Sequence, residues 1–342
     1  MANYTASNLV KAQLMLNGAM ASQDTRFRAP AVWKLFVQGA NTFIPNIAEL
    51  RTREDRAIEA SYMKRSARAL GTGRTHNHTG SSGDSGVLTP SFTTYKDPFS
   101  ITLKQADNSI LTAQQMLDNE IVNSFANFME GLDGLASDKL VASRTGVNIA
   151  TNEGTFDATN DVYEITETTN GLRAMQIARI VMDINKYQGL QMVAVCDSIS
   201  YGKFLYQAAQ GAQNATNTSF QFMDMTFVHD PSLTAKAAAI DVTYVKGFWE
   251  LVPAGTVGAL NWIPKQNRQG HEDTEGIYSS ILNPFDGVQY AVHMYRERAN
   301  GTAVNGYTQD VLTQFEVSLD VALEVAPLST ATASTIFAFA MV

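Results

Sequence analysis

The stretch TAQQMLDNEIVNSFANFMEGLDGLASDKLV, Thr112 to Val141, reads as one long amphipathic helix. Thr112 and Gln115 have the spacing of a capping box, in which two side chains satisfy free N–H groups at a helix start. Leu117, Ile121, Phe125, Phe128, Leu132 and Leu135 then recur every three or four residues, with one longer step to Val141. A single apolar stripe thus persists to about Ser143. At 1.5 Å per residue the helix is roughly 45 Å long, far beyond the usual three turns. Gly131 and Gly134 are the places where it can bend. A helix of this length is a scaffold element.

A second stretch matches it in reach. In QFEVSLDVALEVAP, Gln314 to Pro327, the residues Phe315, Val317, Leu319, Val321, Leu323 and Val325 alternate strictly with smaller or polar ones. A period of two over twelve residues is a half-buried strand of roughly 40 Å. Helix and strand together predict an elongated lobe that the chain enters at 106–143 and re-enters at 308–327.

Between them lies a helix–strand–helix–strand succession, the pattern of an α/β lobe around a mixed sheet. A polar, turn-rich segment, 145–170, marks its boundary. The expected elements are a helix at 171–187 stopped by Gly189, a strand at 190–195, and a helix capped by Asp197 or Ser198 that reaches Gln210. Phe220, Phe222, Met223, Met225 and Phe227 suggest one strand with a bulge, closed by the turn His229-Asp230-Pro231. Further strands are expected at 240–246 and 288–296.

Upstream of the long helix, residues 1–60 show single large apolar side chains without a sustained period, the pattern of an arm laid across something else. A short charged helix is expected at 52–70. Residues 71–86, GTGRTHNHTGSSGDSG, hold five glycines and three serines and no aliphatic side chain, which is a loop composition. The run from Val87 to Leu103 is extended, an open β limb.

The chain has 342 residues, with 45% hydrophobic and 17% charged, enough for two lobes or more. Net charge is −8, which does not mark the whole chain as a nucleic-acid binder. The charge is uneven: residues 1–100 carry 12 Lys/Arg against 7 Asp/Glu, whereas the remainder carries 13 against 26. A basic front and an acidic body attract one another between copies of one chain. The single cysteine, Cys196, excludes an internal disulfide framework and multi-cysteine metal sites, and its apolar flank predicts a buried, inert thiol. The start MANYTASNLVKAQ lacks the pattern of a signal peptide, and no apolar run approaches a membrane span. These features point to a reducing cytoplasm, or a particle assembled within one.

Motifs for chemistry are sparse. There is no phosphate loop, zinc-protease helix, EF-hand series or nucleophile elbow. Gly83-Asp84-Ser85-Gly86 spells GDSG but lacks the β scaffold and base that a serine protease needs. His76 and His78 could touch one metal, yet two ligands are not a site. His271, Glu272, Asp273 and Glu275 read as a solvated loop. Trp249 and Trp262 read as core or interface anchors. No cofactor is expected. The basic residues Arg51, Arg53, Arg56, Lys64, Arg65, Arg68 and Arg74 lie among Glu54, Asp55 and Glu59, so salt bridges to a neighbouring subunit are the expectation, with Phe92 and Tyr95 beside them.

In three places the chain resembles the HK97-like major capsid proteins of tailed bacteriophages. The first is the arm and Gly/Ser-rich limb (71–103) leading into TAQQMLDNEIVNSFANFMEGLDGLASDKLV. The second is GLRAMQIARIVMDINKYQGLQMVAVCDSISYGKFLYQAAQG, and the third is QYAVHMYRERA followed by QFEVSLDVALEVAP. The resemblance spans nearly the whole chain and rests on the order of elements. It implies an α+β fold with an N-terminal arm (1–60), an extended loop (61–105), a spine helix with peripheral β-sheet (106–168), an α/β axial domain (169–307), and a return strand with the C-terminal segment (308–342). It further implies a non-enzymatic subunit that forms pentamers and hexamers of an icosahedral shell around double-stranded DNA, assembled in the bacterial cytoplasm. The partners implied are a portal protein and a separate scaffolding or decoration protein, with non-specific DNA contact and no membrane. No long charged helix precedes the arm, so a cleaved scaffold is not expected, and no cross-linking pair is identified. Two alternatives stand beside this: an encapsulin-type nanocompartment shell, and a metal-dependent hydrolase using His76 and His78.

Overall fold

The structure is a computed structural model that describes residues 5–22, 30–43, 52–63, 85–102, 112–144, 153–185, 187, 189–211, 221–222, 225–273, 276–298, 311–326 and 335–342. The chain opens with two helices, α1 (Ala6–Ala21) and α2 (Ala31–Phe43). Three strands follow: β1 (Ala60–Met63), β2 (Ser85–Leu88) and β3 (Thr93–Thr102). The long helix α3 runs unbroken over Ala113–Ala142. Then come β4 (Thr155–Asp157), β5 (Val162–Ile165), α4 (Ala174–Ile184), β6 (Met192–Cys196), α5 (Ser198–Gly211), β7 (Gln221–Phe222) and β8 (Met225–His229). After α6 (Leu233–Ile240), strands β9 (Phe248–Pro253) and β10 (Val257–Trp262) are joined by a tight turn. The remainder is α7 (Lys265–Gln269), β11 (His271–Glu272), β12 (Gly276–Leu282), β13 (Gln289–Arg298), β14 (Val311–Val325) and β15 (Phe337–Met341).

The spine helix starts as its capping box dictates: Thr112 Oγ1 accepts from the Gln115 N–H, and Gln115 Oε1 accepts from the Thr112 N–H at 2.9 Å. Leu117, Ile121, Phe125, Phe128 and Leu132 are buried as the stripe predicts. Past Leu132 the buried positions are Ala136 and Leu140, whereas Val141 is only partly covered. Asp118, Ser124, Asp133 and Ser137 are buried too. The helix is therefore covered on more than one side: by the sheet under Phe125 and Phe128, whose rings meet Tyr290 edge-on at 5.0 and 5.2 Å, and by α1 and α2 elsewhere.

That second covering corrects the reading of residues 1–60. The described part of the arm is helical over Ala6–Ala21 and Ala31–Phe43, and both helices lie across their own chain. Leu9, Ala12 and Leu16 on α1, spaced three and four residues apart, and Val32, Trp33 and Phe36 on α2 join the core of the spine. Asp133 of the spine caps α2, its Oδ1 accepting from the Val32 and Trp33 N–H groups at 2.8 and 2.9 Å, which satisfies amides that have no partner within their own helix. Trp33 Nε1 donates to Asp286 at 2.9 Å. Gly39 is required because α2 touches the backbone of β10: a Cβ there would sit 2.1 Å from the Val257 carbonyl oxygen.

Two sheets form the body. One runs β10-β14-β13-β12-β11, with β3 on the other side of β14. The other runs β4-β5-β15-β9-β6-β8-β7. The strict alternation in β14 buries Phe315, Val317, Leu319 and Val321 toward the spine, and Phe99 of β3 stacks on Phe315 at 5.1 Å. In the seven-stranded sheet β6 is buried along its whole length and pairs in parallel with β8 and antiparallel with β9. Trp249, stacked on Phe339 at 5.7 Å, anchors one face of that sheet.

The expected partition of the chain changes accordingly. Residues 257–298, placed beforehand with the α/β lobe, hydrogen-bond into the long sheet, because β10 and β13 both pair with β14. Conversely, β4, β5 and the C-terminal β15 belong to the seven-stranded sheet, β15 lying between β5 and β9. The helix expected at 52–70 is, in its described part, a turn followed by β1. The Arg53 carbonyl, which a helix would use four residues on, instead accepts from Trp262 Nε1 and Arg268. The bulged strand at 220–227 is the hairpin β7–β8. The strand expected at 240–246 is the end of α6 and a 3₁₀ turn over Val242–Lys246, started by Asp241, whose carboxylate accepts from the Thr243 N–H at 2.8 Å.

Candidate assembly surfaces

The first surface is the limb that leaves the body before the spine. Strands β1 and β2 pair antiparallel over four residues each, and no third strand joins them among the described residues. Tyr62 lies across Gly86, where a Cβ would stand 2.5 Å from its ring. Met63 and Val87 are exposed. A two-stranded ribbon of this size is marginal by itself in water, so a surface to lie on contributes to its order.

The base of the limb is held by its own chain. Arg56 Nη1 stands 3.3 Å from Asp320 Oδ2 and 3.2 Å from Thr94 Oγ1. Its guanidinium lies 5.9 Å from the Trp262 ring centroid, and that of Arg268 lies at 5.8 Å, so the indole carries two cations. Lys265 pairs with Glu54, and that hydrogen bond holds the Glu54 carboxyl below its ordinary pKa. Ile58 and Phe92 cover Leu260, Trp262, Ala40 and Ala322.

Of the residues expected to meet a neighbouring subunit, Arg53 and Arg56 thus make contacts within the chain: Arg53 Nη1 donates to the Ala57 carbonyl at 3.2 Å, and the ion pair of Arg56 is with its own Asp320. Phe92 is half-buried in the small cluster at the limb base, and Tyr95 is half-buried against the core. Arg51, Lys64, Arg65, Arg68 and Arg74 lie outside the described residues, as do His76 and His78. The signal that sequence reading missed at Arg56 is Asp320, an acid on the spacer register of β14 that pairs with Thr94 across the strands.

The second surface is the groove between β3 and the spine, a cavity of about 210 Å³ lined by Tyr95, Lys96, Asp97, Asn127, Phe128 and Gly131 among others. Lys96, Asp97 and Pro98 stand together on β3, which among the described residues pairs only with β14; charge and proline are the residues that discourage strand addition at an open edge.

Chemistry is weakly represented. No group of three His, Cys, Asp or Glu side chains among the described residues could hold a metal. Ser85 of the GDSG tetrapeptide sits in β2 opposite Met63. His271 and Glu272 form the edge strand β11, and Asp273 accepts from the Gly276 N–H at 2.7 Å, closing a hairpin. Ser198 Oγ does lie 3.0 Å from His229 Nε2, with Tyr201 stacked on the imidazole at 4.9 Å. The neighbouring carboxylates, however, accept from turn amides, Asp197 from Ser200 N–H and Asp230 from Ser232 N–H, unlike the acid of a hydrolytic triad, which orients the imidazole. Burial and the nearby Asp197 push the Cys196 thiol well above its usual pKa.

No protein-family model and no curated protein matches the sequence. Solved structures do match in shape. The Cyanophage Pam1 capsid asymmetric unit is 11% identical, with 88% of this chain and 91% of that chain covered and a TM-score of 0.51. The Cyanophage A-1(L) capsid asymmetric unit is 14% identical over 93% and 94% of the two chains, with a TM-score of 0.47. A structure from Mycobacterium phage Che8 is 6% identical over 88% and 90%, with a TM-score of 0.48. At such identities the likeness is one of fold. The spine helix, the long sheet with its return strand, the second sheet and the projecting ribbon together make up the HK97-like capsid fold.

Proposed function

We propose that the chain is the major shell subunit of a tailed-bacteriophage capsid, assembling into pentamers and hexamers that close around double-stranded DNA. The observation that carries this reading is the match in fold to a phage capsid subunit over 88% of the chain. The ribbon β1–β2, too small to be stable alone, supports it, because such a ribbon gains a surface when copies interlock. In this reading Arg51, Lys64, Arg65, Arg68 and Arg74 meet the acidic body of a neighbouring subunit. Arg53, Arg56, Phe92 and Tyr95 set the angle at which the limb leaves. Many modest contacts of this kind sum to a stable closed shell. The role is structural and not enzymatic. A portal protein, a separate scaffolding or decoration protein and non-specifically held DNA are the partners, in a virion assembled in the host cytoplasm.

Negative-stain electron microscopy of the purified chain, across salt and protein concentration, tests the reading. Closed shells, five- or six-fold rosettes, or tubes are expected. A uniform monomer or dimer under every condition would overturn self-assembly of this chain.

A further inference from the structure

Glu250 is the polar exception in the core beneath the spine. Across the strands its row reads Val162, Ala338, Glu250, Val195. It is fully buried, and among the described residues neither carboxyl oxygen has a hydrogen-bond partner, a costly state for a polar group. The other acids on the elements packed there have donors. Asp197 accepts from the Ser200 N–H at 2.7 Å and Asp230 from the Ser232 N–H at 2.8 Å. The Tyr244 hydroxyl stands 2.9 Å from Asp157 and 3.1 Å from Glu164, and Asp138 of the spine pairs with Lys236 of α6. Arg144, just past the spine, completes the set of charges. Its Nη1 donates to the Val141 carbonyl and its Nε to the Asn160 carbonyl, each at 2.6 Å. Arg144 thus pins the end of the spine to the turn between β4 and β5, where the chain passes from one lobe to the other.

Arg144 is also within reach of Glu250. Its backbone bridges Ile336 in parallel, and Ile336 stands two residues before Ala338, the partner of Glu250 across the strands. Residues two apart on a strand, or paired across strands, share a face, and Ile336 and Ala338 both belong to the core beneath the spine. Guanidinium and carboxyl therefore start on the same side of the sheet, about two strand spacings apart, a gap that two long side chains span. We propose that Arg144 is a pin with two seats, chosen by the proton on Glu250. While Glu250 is neutral, the guanidinium holds the Val141 and Asn160 carbonyls. When Glu250 releases its proton to solvent, the guanidinium turns to the carboxylate, and the spine end comes free of the β4–β5 turn. An unpaired carboxylate in the core is far costlier than a carbonyl returned to water, and Val141 and Asn160 are only half-buried. Burial raises the Glu250 pKa to about 8, and Arg144 is the first of the charges that oppose the rise. The joint is therefore tied in acidic and neutral solution and loosened in mildly alkaline solution. This switch goes beyond the shell reading and does not depend on it.

The test uses the unassembled chain. The native protein, Glu250→Gln, Arg144→Met and the double variant are unfolded in urea at pH 6 and pH 9. At pH 6 the effects of the two substitutions on the folding equilibrium are expected to multiply to within about twofold. At pH 9 they are expected to depart from that product by about tenfold, because only there do the two groups touch. Hydrogen exchange reads the release itself. After correction for intrinsic rates, protection in 139–144 and 157–162 is expected to fall about tenfold from pH 6 to pH 9 in the native chain and to hold in Glu250→Gln. Equal coupling at both pH values would mean that Arg144 acts only as a brace. Coupling found with Lys236→Met in place of Arg144→Met would mean that the other cation takes the seat. Either result overturns the proposal. Native protection that is unchanged at pH 9 overturns it as well, and decides alone if Arg144→Met does not fold.

Discussion

Glu250 offers a direct measurement of what the second sheet costs the chain. It sits on β9 between Val195 of β6 and Ala338 of β15, fully buried, and neither carboxyl oxygen has a hydrogen-bond partner among the described residues. Loss of solvation pushes its pKa from 4.5 to about 8, with Arg144 and Lys236 opposing and Asp230 adding to the rise. Neither cation reaches the carboxylate with a hydrogen bond: Arg144 donates to the Asn160 and Val141 carbonyls, each at 2.6 Å, and Lys236 pairs with Asp138 at 2.6 Å. The sign follows from linkage. The folded chain holds the proton up to about pH 8, whereas the unfolded chain releases it near 4.5, so stability is full below 4.5 and falls as pH rises through that window. At about 1.4 kcal/mol per pH unit, the loss is on the order of 3 kcal/mol by pH 7. Glu250→Gln removes the titration and keeps the shape. Urea unfolding of the unassembled chain at pH 5, 6, 7 and 8 should show the variant gaining on the native chain by about 1 kcal/mol per pH unit, whatever the offset at pH 5. Parallel pH profiles for the two chains would refute the reasoning.

Three further outcomes follow from particular contacts. Gly39→Ala drives a methyl group into the Val257 carbonyl, so α2 must lift from β10, and a loss of about 3 kcal/mol or more in urea unfolding is expected; a neutral result would mean the helix does not sit there. Asp133→Ala removes the cap from the Val32 and Trp33 amides and should cost about 1–2 kcal/mol, read as a lower urea midpoint. Cys196, buried and with its thiol pKa raised, should ignore a thiol-specific disulfide reagent in the native chain and react fully in urea; rapid native labelling would contradict its burial.

Much of the framework was legible because it depends on local period. The stripe from Leu117 to Leu132 and the alternation from Phe315 to Val325 each state which face is buried, and each occupies that face in the fold. The cap at Thr112 was readable for the same reason: both partners lie within four residues. The arm was not legible. Leu9, Ala12 and Leu16 do recur at helical spacing, but Val10, Leu14 and Met15 stand among them on other faces, and apolar residues on several faces blur the period. The ion pair that Arg56 makes within the chain was not legible for a different reason. Its partner Asp320 is 264 residues away in sequence, and nothing local distinguishes an arginine that holds its own chain from one that reaches a neighbour.

The weaving of the two sheets lay furthest from view, and its cause is physical. Strand identity is written in side-chain alternation, but strand partnership is a matter of which backbones meet, and backbones carry no residue code. FWELVP and VGALNW, Phe248–Pro253 and Val257–Trp262, look alike and are separated by one turn, yet the first pairs with β6 and β15 and the second with β14. FAFAM at the C-terminus likewise returns to the sheet that holds β9. The chain therefore passes between the sheets three times: from the spine to β4, from β9 to β10, and from β14 to β15. The short β9–β10 turn ties the two sheets at that point, so sliding one sheet past the other there must strain the turn or unpair a strand.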